Sequence, residues 1–537
     1  MKKGISAIII LVMILSMIGC GTQNVESGET GKQDSILAVE PQPIHESSSE
    51  QTDKTNTDKQ PTKEESTKTD GPAYLDISLE TYWDNEYEDM VLMNACYNSV
   101  NLHTGDYPAL TDAVNKFNAE YISDTQGYIN ELKENVRSEY EEYGAQNFMG
   151  PYEYQSRMFI KRADDEALAI EELVYSYEGG AHGNSFFKTY NFDVQTGAEI
   201  ALENVVIDKD SLPGILETEI TEKYPDLTFW TDSLEELFRE YIVPTDAQYP
   251  PTFTWTLGYD GVTFYFSDYE IGSYADGVQQ VTLCYSEYPQ IFDDRYFKNA
   301  DENYVIAFDD TWYGMDTDLN GDGVTDYISV TRNYDIDVDY SESFNVTVNG
   351  NTFTQETYCY DLETYLVKSG NRHYLYVQRT VENDYQSVCV FEITEISVEY
   401  MGEFSGGMSS FTNSADFEVV RRMDVLSTYS ALANCYVGED GMPVEKEGVY
   451  QVQDEISITS TVEITADLLD EEGNLIGDSY AFPAGTDFQF MTTDGETFAD
   501  MLADDGKRCR FYTGTDWPPT VNGMNADESF EMLWYAG

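Results

Sequence analysis

Nine residues, 318–326 (DLNGDGVTD), have the types and spacing of a calcium-binding loop. Oxygen donors stand at loop positions one, three, five, seven and nine, which are ligand positions in calcium loops. These donors are Asp318, Asn320, Asp322, the backbone carbonyl of Val324, and Asp326. Position six is Gly323, where such a loop must turn sharply. The pattern predicts one calcium ion held by these five residues.

We expect this calcium to be structural, because the ligands of such a loop are needed to hold its turn. Position twelve, a glutamate in an EF-hand, is Ser329, and residues 326–331 alternate like a strand instead of continuing as a helix. The loop therefore resembles the Asp-x-Asn-x-Asp-Gly loops between strands of FG-GAP and related repeats. Only one copy occurs, so the sequence does not predict a propeller. A catalytic or adhesive role for the ion is the alternative.

His182 is the one candidate for catalysis. The chain has four histidines and contains no HExxH, GxSxG, GxGxxG or Walker sequence, so common hydrolase and nucleotide-binding motifs are missing. His182 lies between Gly180 and Gly183 and could act as a general base beside Ser185 or Tyr190. Alternatively, the glycines permit a tight turn in which His182 bonds to the backbone. We favour the second interpretation, assign no catalytic residue and expect a protein that is not an enzyme.

The N-terminus has the features of an export signal. Lys2 and Lys3 precede an apolar run at residues 5–18, which is too short for a typical transmembrane helix. Residues 17–20 (MIGC) resemble the lipid-attachment sequence of bacterial lipoproteins. The resemblance implies a signal peptide over residues 1–20 and a lipid anchor, palmitate included, on Cys20. An ordinary signal peptide with an incidental cysteine is the alternative.

Residues 21–72 are predicted to be a disordered polar tether. They are rich in Ser, Thr, Gln, Glu, Lys and Asp and nearly free of aromatic residues, so they cannot bury enough apolar surface to fold. Stable anchoring requires more than one acyl chain. We therefore expect a protein lipid-anchored at the extracellular face of the cell membrane, in a bacterium with a Gram-positive type of envelope.

Charge limits the partners. The chain has 100 acidic and 29 basic residues and a formal charge of −71. Nucleic acid is excluded as a partner, because its binding requires a basic surface. A cationic partner would be attracted, and the attraction would weaken with salt. Solubility outside the cell is a simpler explanation of the same charge.

The first folded unit is predicted at residues 73–298 as an α+β domain. Apolar residues recur at three- and four-residue steps along 110–136, which predicts a long core-facing helix. Further helices are predicted at 212–223 and from Asp232, with Glu235 as its capping partner. The predicted strands are 91–102, 155–162, 167–177, 186–193, 198–206, 253–257, 262–266 and 278–285.

Two groups of residues in this unit carry a family resemblance. The first is 177–183 (YEGGAHG) with 190–193 (YNFD) and 196–197 (TG), and the second is 262–266 (VTFYF) with 269–271 (YEI) and Gly277. Together they resemble the extracellular domain of unknown function, with its preceding small domain, of RsiV-like anti-sigma factors and PdaC-like peptidoglycan deacetylases. In RsiV-like proteins this region binds lysozyme, and in PdaC-like proteins catalysis belongs to a separate domain. The resemblance therefore implies an extracellular binding role.

Two β-rich modules are expected after this domain. Residues 300–404 contain the calcium loop, and residues 418–537 show frequent turns typical of a small, SH3-like β-barrel. In the second module, residues 456–468 form one long apolar–polar alternation, and residues 517–519 (WPP) could line a groove or simply form a turn. Six cysteines besides Cys20 permit disulfides, whose pairing the sequence does not define.

The sequence thus predicts a cell-surface lipoprotein that binds without catalysis. Its expected ligand is a cell-wall component or a cationic protein such as lysozyme. One alternative is a cell-wall-modifying hydrolase or deacetylase-associated protein with His182 in its site. Another is a structural surface protein stabilised by calcium.

Overall fold

A computed structural model describes residues 74–103, 105–242, 251–297, 303–309, 313–334, 340–381, 385–514 and 518–535. The predicted signal peptide with Cys20, the tether and Trp517 lie outside the described residues. In the described part of the chain, no helix is both long enough and apolar enough to cross a bilayer.

The helices and strands have the following bounds. The helices are α1 (Pro108–Tyr143), α2 (Leu202–Val205), α3 (Leu212–Lys223), α4 (Leu234–Ile242) and α5 (Ala526–Ser529). The strands before residue 300 are β1 (Ile77–Trp83), β2 (Glu86–Tyr87), β3 (Val91–Leu102), β4 (Tyr152–Ala163), β5 (Ala167–Tyr177), β6 (Asn184–Asp193), β7 (Thr254–Leu257), β8 (Gly261–Phe266) and β9 (Gln279–Cys284). Those up to residue 405 are β10 (Asn303–Phe308), β11 (Met315–Thr317), β12 (Asp326–Tyr334), β13 (Ser341–Val348), β14 (Asn351–Gln355), β15 (Asp361–Ser369), β16 (Arg372–Thr380), β17 (Gln386–Thr394) and β18 (Ser397–Ser405).

The remaining strands form the C-terminal part of the fold. They are β19 (Gly407–Met408), β20 (Phe417–Met423), β21 (Tyr429–Val437), β22 (Pro443–Glu445), β23 (Tyr450–Val452), β24 (Ser457–Ser460), β25 (Ile464–Leu469), β26 (Leu475–Phe482), β27 (Asp487–Thr493), β28 (Phe498–Ala503), β29 (Arg508–Gly514), β30 (Thr520–Val521), β31 (Met524–Asn525) and β32 (Phe530–Glu531).

The first sheet has the order β1-β3-β4-β5-β6, with β2 also paired to β3. β3 and β4 run parallel, whereas the other neighbours along this order are antiparallel. A parallel pair needs a crossover connection, and α1 provides it. The helix covers one face of the sheet with a buried row that extends from Leu110 to Val136, as its periodicity predicts.

The opposite face of this sheet packs on a second core. Side chains alternate along β5, so Leu168 and Ile170 lie in the core under α1, whereas Ala167 and Ala169 lie in the core formed with α3, α4 and the sheet β7-β8-β9. Strand β5, an interior strand of this sheet, is therefore buried on both faces.

Two consecutive buried glutamates interrupt this apolar strand. Glu172 is fully buried and accepts hydrogen bonds from Ser156 (2.8 Å), Tyr121 (3.1 Å) and Tyr190 (2.6 Å), and pairs with Lys188 at 3.2 Å. Because these partners come from α1, β4 and β6, one carboxylate joins the helix to three strands.

Glu171 is fully buried on the opposite face. It pairs with Lys161 of β4 at 3.2 Å and accepts a hydrogen bond from the Tyr313 hydroxyl. Arg157 of β4 also pairs with the buried Asp309 at 2.7 Å. These contacts attach the first sheet to the chain that follows β10.

The rest of the fold consists of antiparallel sheets. One has the order β10-β15-β16-β17-β18, another β11-β12-β13-β14, and the strands from β19 to β32 form a fourteen-stranded network. The chain thus combines a few helices with many strands, which confirms the α+β class. The calcium-stabilised module and the SH3-like barrel stay predictions.

The first described residues contact the C-terminal part of the chain. The Leu75 carbonyl accepts a hydrogen bond from Thr412 Oγ1 (2.6 Å), and Ser410 donates to the Asp76 carboxylate. Val305 N of β10 donates to the Thr412 carbonyl at 3.1 Å. Residues 410–412 therefore bind both the start of the fold and β10.

Three local predictions were wrong. Residues 198–206 form no strand, because Ile200, Val205 and Val206 are buried in the second core around the short α2, with only isolated bridges to other segments. Helix α4 begins at Leu234, and its Glu236 N–H is capped by Ser233 Oγ (3.2 Å) rather than by Asp232.

The third wrong prediction concerns the long apolar–polar alternation at residues 456–468. It splits into β24 and β25 around exposed residues 461–463, because β24 pairs with β27 whereas β25 pairs with β26 and β29. The two strands thus have different partners. Five cysteines of the described chain are free thiols, namely Cys96, Cys284, Cys389, Cys435 and Cys509.

We predict that Glu172→Ala destabilises the fold by about 3 kcal/mol, since it leaves the partly exposed Lys188 and three hydroxyls without their acceptor. The matched control is Glu120→Ala on the exposed face of α1, which should cost less than about 0.5 kcal/mol. Urea denaturation of the two variants gives the change in the free energy of unfolding for each substitution. Equal losses in the two variants would contradict a structural role for the Glu172 carboxylate.

Candidate functional site

His182 lies in the glycine-rich connection between β5 and β6. Gly179 (φ 81°) and Gly180 (φ 109°) adopt backbone conformations that other residues rarely reach, so the chain can turn tightly before the histidine. Gly183 leaves room for a neighbouring ring, because a Cβ there would lie 2.4 Å from the Tyr175 side chain. The glycines therefore fix where the His182 side chain projects.

Both ring nitrogens of His182 have polar neighbours. Nδ1 lies 2.8 Å from the Gly183 carbonyl oxygen, and Nε2 lies 3.3 Å from the Tyr269 hydroxyl. The ring stacks on Tyr274, with centroids 3.9 Å apart and planes 22° apart. The backbone hydrogen bond expected from the sequence is thus present.

Of the two side chains considered as catalytic partners of His182, Tyr190 has its hydroxyl bonded elsewhere, and Ser185 is held through its backbone. The Tyr190 hydroxyl donates to Glu172 inside the first core, and the backbone N–H of Ser185 donates to Asp268 Oδ2 at 2.7 Å. In return, the Asp268 N–H donates to the Ser185 carbonyl at 3.1 Å. These two bonds join β6 to the turn that carries Tyr269.

That turn presents Tyr269 outward. Tyr269 has a φ of 66°, a left-handed conformation that is uncommon for a bulky residue, and its side chain is 45% exposed. Glu270 holds the turn, because its carboxylate accepts from Ser267 N (2.8 Å) and from the Tyr241 hydroxyl (3.3 Å).

Trp230 extends the same surface. Its side chain is 61% exposed, its Nε1 donates to the Tyr269 carbonyl, and its backbone N–H donates to the Ile271 carbonyl, both at 3.1 Å. The Tyr269 and Tyr274 ring centroids lie 5.6 Å apart. We call His182, Trp230, Tyr269 and Tyr274 the aromatic surface.

Burial changes the acid–base properties of the groups beneath this surface. It raises the pKa of the Asp268 carboxyl, although the bonds from Ser185 and the charge of His182 act in the opposite direction. It raises the pKa of Glu270 to about 7 and also raises the pKa of Tyr274. The aromatic rings and the neighbouring Asp268 carboxyl group together form a surface suited to contact with a ligand.

Sequence reasoning identified His182 but not the three aromatic partners. Tyr269 belonged to the 269–271 run that carries the family resemblance, which was the one available signal. Trp230 gave none, because its proximity to Tyr269 depends on tertiary hydrogen bonds between segments about forty residues apart.

The predicted calcium loop turns where the sequence places its glycines. Gly321 (φ 77°) and Gly323 (φ 91°) are left-handed, and Asp318 accepts backbone hydrogen bonds from Gly321 (2.7 Å), Asp322 (3.1 Å) and Gly323 (2.8 Å). Asp326 accepts from Leu319 N (3.0 Å) and from the Asn349 amide (2.6 Å).

The remaining predicted ligands lie in the same turn. The Asn320 amide donates to Asp322 at 3.0 Å, and Val324 is exposed. Among the described residues, no three His, Cys, Asp or Glu side chains are grouped as metal ligands. The structure thus shows the turn but not a gathered set of carboxylates.

The loop is attached to the preceding domain through Asp260. The carboxylate of Asp260 accepts from Thr317 Oγ1 (2.6 Å) and Asp318 N (2.7 Å), and Ser286 Oγ donates to Asp318 at 3.3 Å. Burial raises the pKa of Asp260. The loop therefore forms part of a junction between two modules.

Two open clefts lie apart from the aromatic surface. One, of about 360 Å³, includes Arg239, which pairs with Glu235 at 2.5 Å. The other, of about 510 Å³, includes Arg295, which pairs with Glu166 and Asp193, both at 2.7 Å. Each arginine is neutralised by these carboxylates, and we assign no ligand to either cleft.

Comparison with known families matches two adjacent segments. Residues 94–185 match the model described as deacetylase PdaC, and residues 207–286 match the model described as a protein of unknown function, DUF3298. His182 lies in the first segment and the other three members of the aromatic surface in the second. Among curated proteins, none matches the chain. The chain carries a PdaC/DUF3298-like domain of unknown function, as its resemblance predicted.

Two solved structures of DUF3298 family proteins are similar to this chain. The one from Bacteroides fragilis has 17% sequence identity, covers 41% of this chain and 94% of its own, and has a TM-score of 0.33. The one from Pseudomonas aeruginosa has 15% identity, covers 41% of this chain and 96% of its own, and has a TM-score of 0.26.

We predict that Glu270 makes the fold less stable as the pH rises through 7. Its pKa is raised from 4.5 to about 7, so between these values the folded chain holds a proton that the unfolded chain has lost. The stabilisation is complete below pH 4.5 and disappears above pH 7. Glu270→Gln should remove this pH dependence, with the variant more stable than the wild type by about 2 kcal/mol at pH 8. Urea denaturation of both proteins at pH 5 and pH 8 measures this difference. An equal change in the free energy of unfolding between the two pH values in both proteins would contradict the raised pKa of Glu270.

Proposed function

We propose that the protein is a lipid-anchored protein of the extracellular face of the cell membrane. Its PdaC/DUF3298-like domain binds a cell-wall component or a cationic protein such as lysozyme, without catalysis. The observation that carries the proposal is the aromatic surface, in which His182 stacks on Tyr274 and lies beside the exposed ring of Tyr269.

The surroundings of His182 favour a role in ligand contact over a role as a general base. A general base needs a ring nitrogen within reach of the group that it deprotonates. Nδ1 faces a backbone carbonyl, and Nε2 faces the Tyr269 hydroxyl. By contrast, exposed aromatic residues with polar edges are common anchors in binding surfaces.

A second surface supports a protein partner. Trp83 (70% exposed), Tyr87 and Tyr143 are exposed. The hairpin that carries Tyr87 is tied to the C-terminal half of α1 by the pair Arg137–Glu86 at 2.6 Å. Exposed aromatic side chains among carboxylates, on a chain of formal charge −71, are suited to a cationic partner.

Binding of residues 73–537 to lysozyme, at about 20 mM and about 150 mM salt, tests the protein arm of the proposal. We expect complex formation that persists at the higher salt, because a shaped interface depends less on long-range attraction. Ribonuclease A, another cationic protein of similar size, is the control and should bind only at low salt. Isolated cell walls test the other arm in a sedimentation assay. The proposed function would be refuted if the protein bound neither lysozyme nor cell walls.

We also propose that residues 318–326 bind a structural calcium ion. The support is the spacing of the five oxygen donors and the two left-handed glycines. Because Asp318 and Asp260 are linked by a hydrogen bond, an ion in this loop would stabilise the junction between the two modules.

The calcium proposal predicts that millimolar calcium raises the melting temperature of the chain by several degrees relative to chelator. Asp322→Asn should reduce this increment, since it removes one charged ligand. The matched control is Asp470→Asn, in an exposed turn where Asp470 likewise accepts backbone N–H groups. Identical melting temperatures in calcium and in chelator would refute the proposal.

A further inference from the structure

The aromatic surface has the chemistry of a sugar-binding site. We propose that His182, Trp230, Tyr269 and Tyr274 bind neutral pyranose rings of a polysaccharide by stacking, with the aromatic hydroxyls bonding to the sugar hydroxyls. The inference rests on the proposed binding function and specifies the ligand class of this site.

The rings are held in place before any ligand arrives. His182 and Tyr274 stack at 3.9 Å, and two hydrogen bonds fix Trp230 on the backbone of the Tyr269 turn. Rings that are already fixed lose little conformational entropy when a ligand stacks on them. The aromatic surface is therefore preorganised for binding.

The backbone conformation of Tyr269 is evidence that the aromatic surface serves a function. A tyrosine with a φ of 66° is strained, and strained residues persist where the surrounding structure or a function requires them. Here the strained residue is also 45% exposed, so its ring contributes little to the core. The strain is thus associated with presenting a ring to solvent.

The negative charge of the chain disfavours an anionic ligand at this surface. Asp268 and Asp276 lie in the same turns as Tyr269 and Tyr274, and the formal charge of the chain is −71, so phosphate-rich and other anionic polymers would be repelled. A sugar presents apolar C–H faces to the rings and hydroxyl groups to their polar edges. Tyrosine and tryptophan combine such a face with such an edge.

Titration calorimetry of the full chain with the neutral hexamers of N-acetylglucosamine and of glucose tests this proposal. We expect at least one hexamer to bind, with affinity nearly unchanged in about 0.5 M salt, because the interaction is not ionic. The hexamer that binds distinguishes a wall-type amino sugar from a plain glucan. Trp230→Ala and Tyr269→Ala should each weaken binding by at least about tenfold.

Tyr269→Gly separates binding from folding. Glycine adopts a φ of 66° without strain, so this variant should melt no lower than the wild type while it loses the ring. Trp534→Ala, at an exposed tryptophan near the C-terminal end of the described chain, is the matched control and should bind the sugar like the wild type.

Two results would overturn the sugar proposal. One is the failure of both neutral hexamers to bind. Binding of the cationic glucosamine hexamer alone, with release by salt, would count as this result, because it would show an ionic interaction. The other is wild-type binding by folded Tyr269→Gly and Trp230→Ala. The lysozyme and cell-wall assays are independent of these variants, so a protein that passes them but binds no sugar would retain the proposed function.

Discussion

The rest of the domain depends on two adjacent buried carboxylates in one strand. Because side chains alternate along β5, Glu172 faces α1 and Glu171 faces the opposite side. Each buried charge must be compensated locally, so each determines which residues pack against its face. Glu172 gathers hydroxyls from the helix and the neighbouring strands, whereas Glu171 gathers Lys161 and Tyr313. One strand thus sets the position of the helix and of the following module.

The aromatic surface depends on this framework. His182 follows the end of β5, whereas Tyr269 follows β8, and the reciprocal Ser185–Asp268 bonds bring the two segments together. The site combines residues from both matched segments, so neither segment alone would present the full surface. A domain of this kind can keep its scaffold while its exposed rings change, which separates the fold from ligand choice.

Strong local patterns were sufficient to predict much of the fold. The predicted strands 91–102 and 167–177 and the helix 212–223 have the observed bounds, and α1 lies where its apolar periodicity placed it. Local patterns failed at 198–206, which makes only isolated bridges to other segments, and at 456–468, which divides into two strands with different partners. In the site, the turn around His182 was predictable from its glycines. Trp230 was not, because its neighbours are set by tertiary hydrogen bonds.

The contact between the start of the fold and residues 410–412 has a mechanical consequence. If the chain is held at the membrane through residues 21–72, any pull on the tether reaches the fold at Leu75. The load would be carried by the Thr412–Leu75 hydrogen bond and by the paired strands β1 and β3. Tension would therefore be shared at once with the C-terminal strands and with β10, whose Val305 bonds to Thr412. Such a connection distributes force over the molecule and protects the N-terminal strand from being peeled away.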